Sequence, residues 1–591
     1  MTGPLDLGVH ALRNAYRSGT LNVRQTIEEL LKRLADASDD KVWISRPSDD
    51  ALRVEAASLE ARRGELDRLA LYGVPFAVKD NIDVADMMTT AACPGFAYKA
   101  RQSAEVVKRL VAAGAIVVGK TNLDQFATGL VGVRSPYGVP SNPFDSSFVP
   151  GGSSSGSAVA VSAGLVSFSL GTDTAGSGRV PAGFNNIVGL KPTPGLISND
   201  GLVPACRSLD CVSVFALSCA DADAVLSVLA DVPAAPAFGK SFHFGVLGSH
   251  DAEFFGDAGY AELYRQSIDR LKTMGGTPVE IDYAPFRDAA QLLYGGPWVA
   301  ERTAAVGAFM ESADGKAGVW PTTRQIVLEG RKYSAVDAFE GQYRLADLKS
   351  KAFAQMKGLG FLALPTAGTI YRLADLEREP VLYNSHLGHY TNFVNFFGLS
   401  ALALPAGFRS DGMPFGITLI AHAHAERALL GFGARWQRAV SLALGTTASR
   451  LPSPDADPIG AEDRVPIAVV GAHMSGLPLS GQLVELGGRL EHADKTAPTY
   501  RLYALSGDAP HRPGLVRATE GGTAIDLEVW SLPSDKVGVF LRMIPAPLGL
   551  GTVTLSDGSG VPGFLCESHA TADAKDITAF GGWRAYLKTI A

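Results

Sequence analysis

An α/β core followed by a smaller β-rich domain is the architecture this 591-residue sequence predicts. Three observations carry that expectation. From Leu71 onward, short apolar runs alternate with helix-patterned segments, as strands and helices in succession do. Residues Leu451–Val465 hold three prolines and four acids with little to bury, and read as a linker. Beyond them the apolar period shifts toward alternation between Gly/Pro turns, the pattern of half-buried strands.

In the first 70 residues, Leu12, Tyr16, Leu21, Ile27, Leu30, Leu31 and Leu34 recur at three-to-four spacing among charged residues, predicting a helical outer wrapping. Gly73–Val78 reads as a strand, Ser103–Ala113 as an amphipathic helix and Ala115–Val118 as a further strand. Val159–Leu170 is apolar and built of small residues, fit for a buried helix and strand. Phe361–Pro365, Ala401–Pro405 and a helix near Ala425–Leu444 complete the core. The expected domains are therefore 1–450, a linker at 451–465, and 466–591, with strands at Thr499–Leu505, Thr523–Trp530 and Gly538–Met543 in the last.

Composition narrows the function classes. Lys+Arg 53 against Asp+Glu 60 gives 53 − 60 = −7, with no basic stripe, which argues against a duplex nucleic-acid binder. The longest apolar run, Ala158–Leu170, contains serines and falls short of the ~20 residues a membrane span needs. No signal-like segment follows Met1, and the five cysteines are an odd number, so a reduced cytoplasm is the expected setting. Cys206, Cys211 and Cys219 form no CxxC pair and have no histidine among them, so they read as small buried hydrophobes rather than metal ligands. Glycine, at 65 residues, exceeds ordinary use without a collagen period, so it serves the backbone at particular places.

Two glycine-serine clusters are such places: Gly151-Gly-Ser-Ser-Ser-Gly-Ser-Ala158 and Gly171-Thr-Asp-Thr-Ala-Gly-Ser-Gly-Arg-Val-Pro181. The apolar segment between them pins both to a core, which rules against a flexible linker. A serine such as Ser177 becomes a nucleophile only when a positioned base takes its proton. The nearest histidines in sequence, His10 and His243, stand in stretches without the look of a site, and no Gly-x-Ser-x-Gly elbow surrounds the serines. A lysine in a low-polarity pocket is the other option, because desolvation lowers its pKa toward a usable range. Lys79, ending the apolar run Val74-Pro-Phe-Ala-Val-Lys79, is placed for that. The stretch Gly114-Ala-Ile-Val-Val-Gly-Lys-Thr121 also satisfies the phosphate-loop pattern, but Ile116, Val117 and Val118 are strand material where a phosphate loop needs a turn.

Over about residues 25–445 the sequence resembles the amidase signature family, through Gly73-Val-Pro-Phe-Ala-Val-Lys-Asp80, Gly151-Gly-Ser-Ser-Ser-Gly156 and Asp173-Thr-Ala-Gly-Ser177 in that order. The resemblance implies a mixed twisted sheet covered by helices. It also implies a Ser–cis-Ser–Lys arrangement with Ser177 as nucleophile, Ser153 as proton relay in a cis peptide and Lys79 as base. The amides of Thr174, Ala175, Gly176 and Ser177 would form the oxyanion hole. Asp173 and Arg179 read as a supporting ion pair. Ala175 and Gly178 depart from the Gly and Ile/Val common at those positions in the family.

The substrate must be read elsewhere. In Leu292-Leu-Tyr-Gly-Gly-Pro-Trp-Val-Ala-Glu-Arg302, the glycines end a helix and Pro297 can open another, leaving Arg302 about one and a half turns inside it. Read without the family, that Arg pairs with Glu301 or another acid. With Gly-Ser-Gly-Arg at 176–179 and the added domain, however, the chain resembles the allophanate hydrolase branch of the family, which implies that Tyr294 and Arg302 orient the carboxylate of allophanate. The implied reaction is hydrolysis of the terminal amide without metal or cofactor, downstream of a biotin-dependent urea carboxylase, and a homodimer is a further expectation. The rival is another amidase of the family, or the amide-donating component of an amidotransferase, acting on a different small amide. The last domain carries Val469-Val-Gly-Ala-His-Met-Ser-Gly-Leu-Pro-Leu479 and Leu490-Glu-His492, and resembles allophanate hydrolase C-terminal domains, an α+β type related to γ-glutamylcyclotransferase-like folds. Assistance in decarboxylation is implied for it, with His473 and His492 as candidates.

Overall fold

The structure is a computed structural model and describes residues 5–37, 41–232, 237–239, 241–447, 449–451, 464–507 and 509–590. The chain divides into two compact units at 459/460. Most of the expected linker, residues 452–463, lies outside the described residues.

The first unit is built on an eleven-stranded sheet whose spatial order is Trp43–Ser45, Ile116–Thr121, Pro75–Lys79, Phe168–Asp173, Cys211–Ala216, Val188–Lys191, Ser400–Phe408, Pro414–Ala421, Phe361–Pro365, Phe242–Leu247 and Gly276–Ile281. Ile116–Thr121, Pro75–Lys79 and Phe168–Asp173 run parallel to one another. The next five pairings, from Phe168–Asp173 to Phe361–Pro365, are antiparallel, and the last two are parallel again. The sheet is thus mixed, and its central strands are buried end to end.

Helices cover it as the periodicity predicts. Val9–Ser18 and Val23–Asp36 direct Leu12, Tyr16, Ile27, Leu30, Leu31 and Leu34 into a core shared with Ala77, Ile116 and Val118 of the sheet. The second of these helices opens on a reciprocal cap, Asn22 accepting from the Gln25 amide while the Gln25 side chain accepts from the Asn22 amide. The glycine-serine stretch after residue 150 becomes the wholly buried helix Ser155–Ser162, whose small side chains let it lie close against the strand Phe168–Asp173. Ile116–Thr121 is a strand throughout, and Lys120 Nζ lies 3.1 Å from Asp80 Oδ1, so the segment matching the phosphate-loop pattern has neither the turn nor a free lysine.

The second unit holds a five-stranded sheet in the order Arg489–Lys495, Asp526–Pro533, Arg464–Val469, Gly560–Cys566, Leu548–Thr554, and a three-stranded one of Pro513–Arg517, Tyr500–Ala504 and Lys575–Asp576. One expectation fails here: Gly538–Met543 is no strand but part of the helix Ser534–Arg542. Val537, Phe540 and Ile544 face one apolar cluster at helical spacing, and that period outweighs the local alternation. All five cysteines are buried and unpaired. Among the described residues no helix is long and apolar enough to cross a membrane.

Candidate active site

The site lies beyond the C-terminal ends of the three parallel strands, the usual location in sheets of this kind. Lys79 ends one strand and is fully buried. Its Nζ donates to Ser153 Oγ at 2.7 Å and to Thr172 Oγ1 at 2.8 Å. Burial pushes its pKa down to about 7, against the opposing fields of Asp124, Asp173 and Asp210. A neutral amine is therefore accessible near physiological pH, and its nearest hydroxyls are those of a serine and a threonine.

Ser153 sits in a loop held on every side. The Gly152–Ser153 peptide is cis. Gly152 N–H donates to Leu130 O, Ser153 O accepts from the Asp124 amide, and Ser154 Oγ donates to Thr172 O. The Asp124 carboxylate in turn accepts the amides of Gly132 and Arg134. Only glycine fits at 152, where a Cβ would stand 2.1 Å from Asp124 Oδ2.

Ser177 follows the strand Phe168–Asp173 on a tight loop and is nearly buried. The loop is shaped by Asp173, whose carboxylate accepts the Gly176 amide at 2.9 Å, the Gly178 amide at 3.0 Å and two donors of Arg179 at 2.9 and 3.0 Å. Burial works to raise the Asp173 carboxyl, but the Arg179 guanidinium, Lys191 and the Gly178 amide together outweigh it and hold the pKa below its ordinary value. One of the four amides expected at the oxyanion hole is engaged within the loop. The Gly176 N–H is already engaged by Asp173, leaving the amides of Thr174, Ala175 and Ser177, which donate to no partner among the described residues. The departure at Gly178 has a steric reason, since a Cβ there would meet the Ser213 side chain at 2.6 Å. Thr391 secures the other flank, donating to Ala175 O at 2.7 Å.

Tyr294 is the penultimate residue of the helix Ala284–Gly295, and Arg302 is the fourth residue of the next helix, Val299–Glu311, slightly nearer its start than the sequence suggests. Arg302 is 1% exposed, yet among the described residues no carboxylate pairs with it. Its Nη1 donates to Thr128 Oγ1 at 3.0 Å, its Nη2 to the Tyr294 hydroxyl at 3.3 Å, and its buried Nε has no partner among those residues. Glu301 bonds Ser208 instead. A buried guanidinium that bonds neutral hydroxyls and is ion-paired with no carboxylate among the described residues has the chemistry of an anion site.

In the second unit His473 is buried, its Nε2 at 2.9 Å from Gln482 Oε1 and its ring stacked on Phe564; burial pushes its pKa down. It lines a cavity with Gly471, Gln482, Arg512 and Phe564, and the buried Arg512 Nε has no partner among the described residues. His492 is exposed on the edge strand Arg489–Lys495 and does not line that cavity, so the two histidines are not brought to one site.

Sequence reasoning passes over Thr172, Thr128, Asp124 and Asp210. Thr172 stands inside the motif Gly171-Thr-Asp-Thr, but nothing in a linear pattern marks its hydroxyl, or that of Thr128, as the partner of a distant cation.

Comparison with known proteins shows the family. The amidase family model matches residues 25–430, and the model described as allophanate hydrolase C-terminal domain matches 465–588. The allophanate hydrolase of Kluyveromyces lactis is 39% identical, with a TM-score of 0.76 over 99% of each chain. The urea amidolyase of Saccharomyces cerevisiae is 41% identical over 95% of this chain, which spans only 32% of that protein. The peptide amidase of Stenotrophomonas maltophilia is 26% identical, with a TM-score of 0.62 over 75% of this chain and 99% of that one. The chain belongs to the amidase family, its core followed by an allophanate hydrolase C-terminal domain.

Proposed function

We propose that the chain hydrolyses the terminal amide of allophanate, releasing ammonia and leaving N-carboxycarbamate, which goes on to ammonia and carbon dioxide. The observation that carries the substrate is Arg302, a buried cation that donates to the neutral hydroxyls of Thr128 and Tyr294 and is ion-paired with no carboxylate among the described residues. Allophanate carries its carboxylate on the nitrogen next to the scissile carbonyl, and a guanidinium presents the planar fork that a carboxylate accepts. The allophanate hydrolase of Kluyveromyces lactis, aligned over nearly the full length of both chains, supports the reading.

In this mechanism neutral Lys79 takes the Ser153 proton as Ser153 takes that of Ser177, and Ser177 Oγ adds to the terminal carbonyl. The oxyanion rests on the amides of Thr174, Ala175 and Ser177; one such donor is worth roughly 3–4 kcal/mol in acyl-transfer enzymes. The tetrahedral adduct expels the terminal nitrogen, protonated back through Ser153, as ammonia. Water then adds to the acyl-enzyme carbonyl as its proton passes to Ser153 and Lys79, and the adduct breaks its bond to Ser177 Oγ, which is reprotonated through the same groups, freeing N-carboxycarbamate.

The second unit would act on the carboxylated product, with Arg512 at its cavity as anion partner and the neutral His473 ring beside it as a hydrogen-bonding group. The chain would work downstream of a biotin-dependent urea carboxylase, a link supported by the urea amidolyase relative, of which this chain covers 32%. Five unpaired thiols fit a reduced cytoplasm.

The test is a substrate panel of allophanate, acetamide, malonamide and glutamine. We expect kcat/KM for allophanate to exceed that for acetamide by at least ~100-fold, the discrimination a buried ionic contact supplies. Equal values, or preference for glutamine, would transfer the assignment to another small-amide hydrolase or to amide donation.

A further inference from the structure

Asp210 has no part in the mechanism above, yet its carboxylate is buried against the loop that carries the oxyanion amides. It immediately precedes the strand Cys211–Ala216, which pairs antiparallel with Phe168–Asp173 so that Cys211 faces Asp173. Continuing that register brings Asp210 opposite Thr174. Asp210 Oδ1 accepts the Thr174 hydroxyl at 2.5 Å and the Cys206 amide at 3.2 Å, and Oδ2 accepts the Ala205 amide at 2.9 Å. Asn395 clamps the same junction, its Nδ2 donating to Asp173 O and to Leu209 O.

We propose that Asp210 is a positioning residue for the reaction, fixing the Thr174 peptide through its hydroxyl so that the Thr174 N–H points to the developing oxyanion. The proposal rests on the reading of Ser177 as nucleophile. The position has an electrostatic side as well. Lys79 feels the carboxylates of Asp124, Asp173 and Asp210. Asp210 in turn lies in the fields of Lys79 and Arg302, with the neutral thiols of Cys206 and Cys211 nearby in the same electrostatic environment, and burial works to raise its carboxyl pKa. One carboxylate thus stands in the field of both the base and the anion-binding cation, while its oxygens hold the oxyanion loop. A purely structural role would end at the 205–206 turn, whose amides it also accepts.

Two variants separate these roles. Thr174→Val removes the hydroxyl but leaves the Ala205 and Cys206 bonds and every charge. It should lower kcat at least ~10-fold with KM changed by less than about twofold, because a misdirected oxyanion donor harms the transition state alone. The acidic limb of its pH profile should stay where it is in the parent. Asp210→Asn should lower kcat similarly and move that limb to lower pH, since one of three carboxylates favouring protonated Lys79 is gone. Parent kcat in Thr174→Val, or an unmoved limb in a folded Asp210→Asn, overturns the proposal; if Asp210→Asn does not fold, the kcat of Thr174→Val decides. Both variants are assayed on allophanate and on malonamide. A parent enzyme that turns over only the neutral amide defeats the allophanate assignment while leaving this comparison intact. The rate of Ser177 modification by a fluorophosphonate, whose phosphoryl oxygen uses the same amides, gives the same ordering without any substrate.

Discussion

Replacing Lys79 with Met should make the protein more stable near pH 7 and less stable near pH 9. In the folded chain the amine titrates at about 7, against an ordinary 10.5, because it is fully buried. A difference of about 3.5 units at about 1.4 kcal/mol each is a penalty of about 5 kcal/mol on the charged form. Below pH 7 the amine is protonated in both folded and unfolded chains, so the whole penalty is present. From pH 7 to 10.5 the unfolded chain binds more protons than the folded one, and stability rises with pH. Met fills similar space without charge but gives up the bonds to Ser153 and Thr172, together worth about 2–3 kcal/mol. The variant should therefore gain about 2 kcal/mol at pH 7. By pH 9 the parent has recovered about 3 kcal/mol, and the sign reverses. The assay is the thermal transition of both proteins across pH 6–9.5, followed by circular dichroism, where contributions from other groups cancel in the difference. A difference in Tm that does not change with pH would refute the assignment of a depressed amine at this position.

Other perturbations follow the same physics. Arg302→Leu should reduce kcat/KM on allophanate by about 10²–10³, in line with the roughly 3–4 kcal/mol lost with a buried charged contact, while acetamide turnover changes little; parallel losses would show a packing role instead. Arg179→Met strands the buried Asp173 carboxylate and should destabilise the protein by about 3–5 kcal/mol, read as a lower Tm, and an unchanged Tm would mean the pair is dispensable. His473→Ala in the full chain should slow carbon dioxide release relative to release of the first ammonia, and an unaltered ratio would remove the second unit's cavity from the reaction.

Much of the core is legible in the sequence because one periodicity is clear in each place. The strand ending at Lys79, the buried helix after Ser153 and the N-terminal helices all have burial patterns that a local window captures. Gly538–Met543 misleads because a six-residue window satisfies alternation, while the contacts that decide, Val537 and Ile544, lie outside it. The Lys79, Ser153 and Ser177 motifs are visible since chemistry constrains residue type there. What surrounds them is not: Asp173 captures the Gly176 amide through a turn, and Asp210 reaches Thr174 only through strand register. Arg302 is visible as a residue, but its lack of a counter-ion among the described residues is a fact of three dimensions.

The central claim is that a lysine-activated Ser177 cleaves the terminal amide of a small carboxylate-bearing urea. Ammonia release from allophanate by the parent chain and by Ser177→Ala, measured side by side at pH 8, tests it most directly. Steady turnover by the parent and none above background by a folded Ser177→Ala is the predicted result; silence from the parent, or persistent release by the variant, would contradict it.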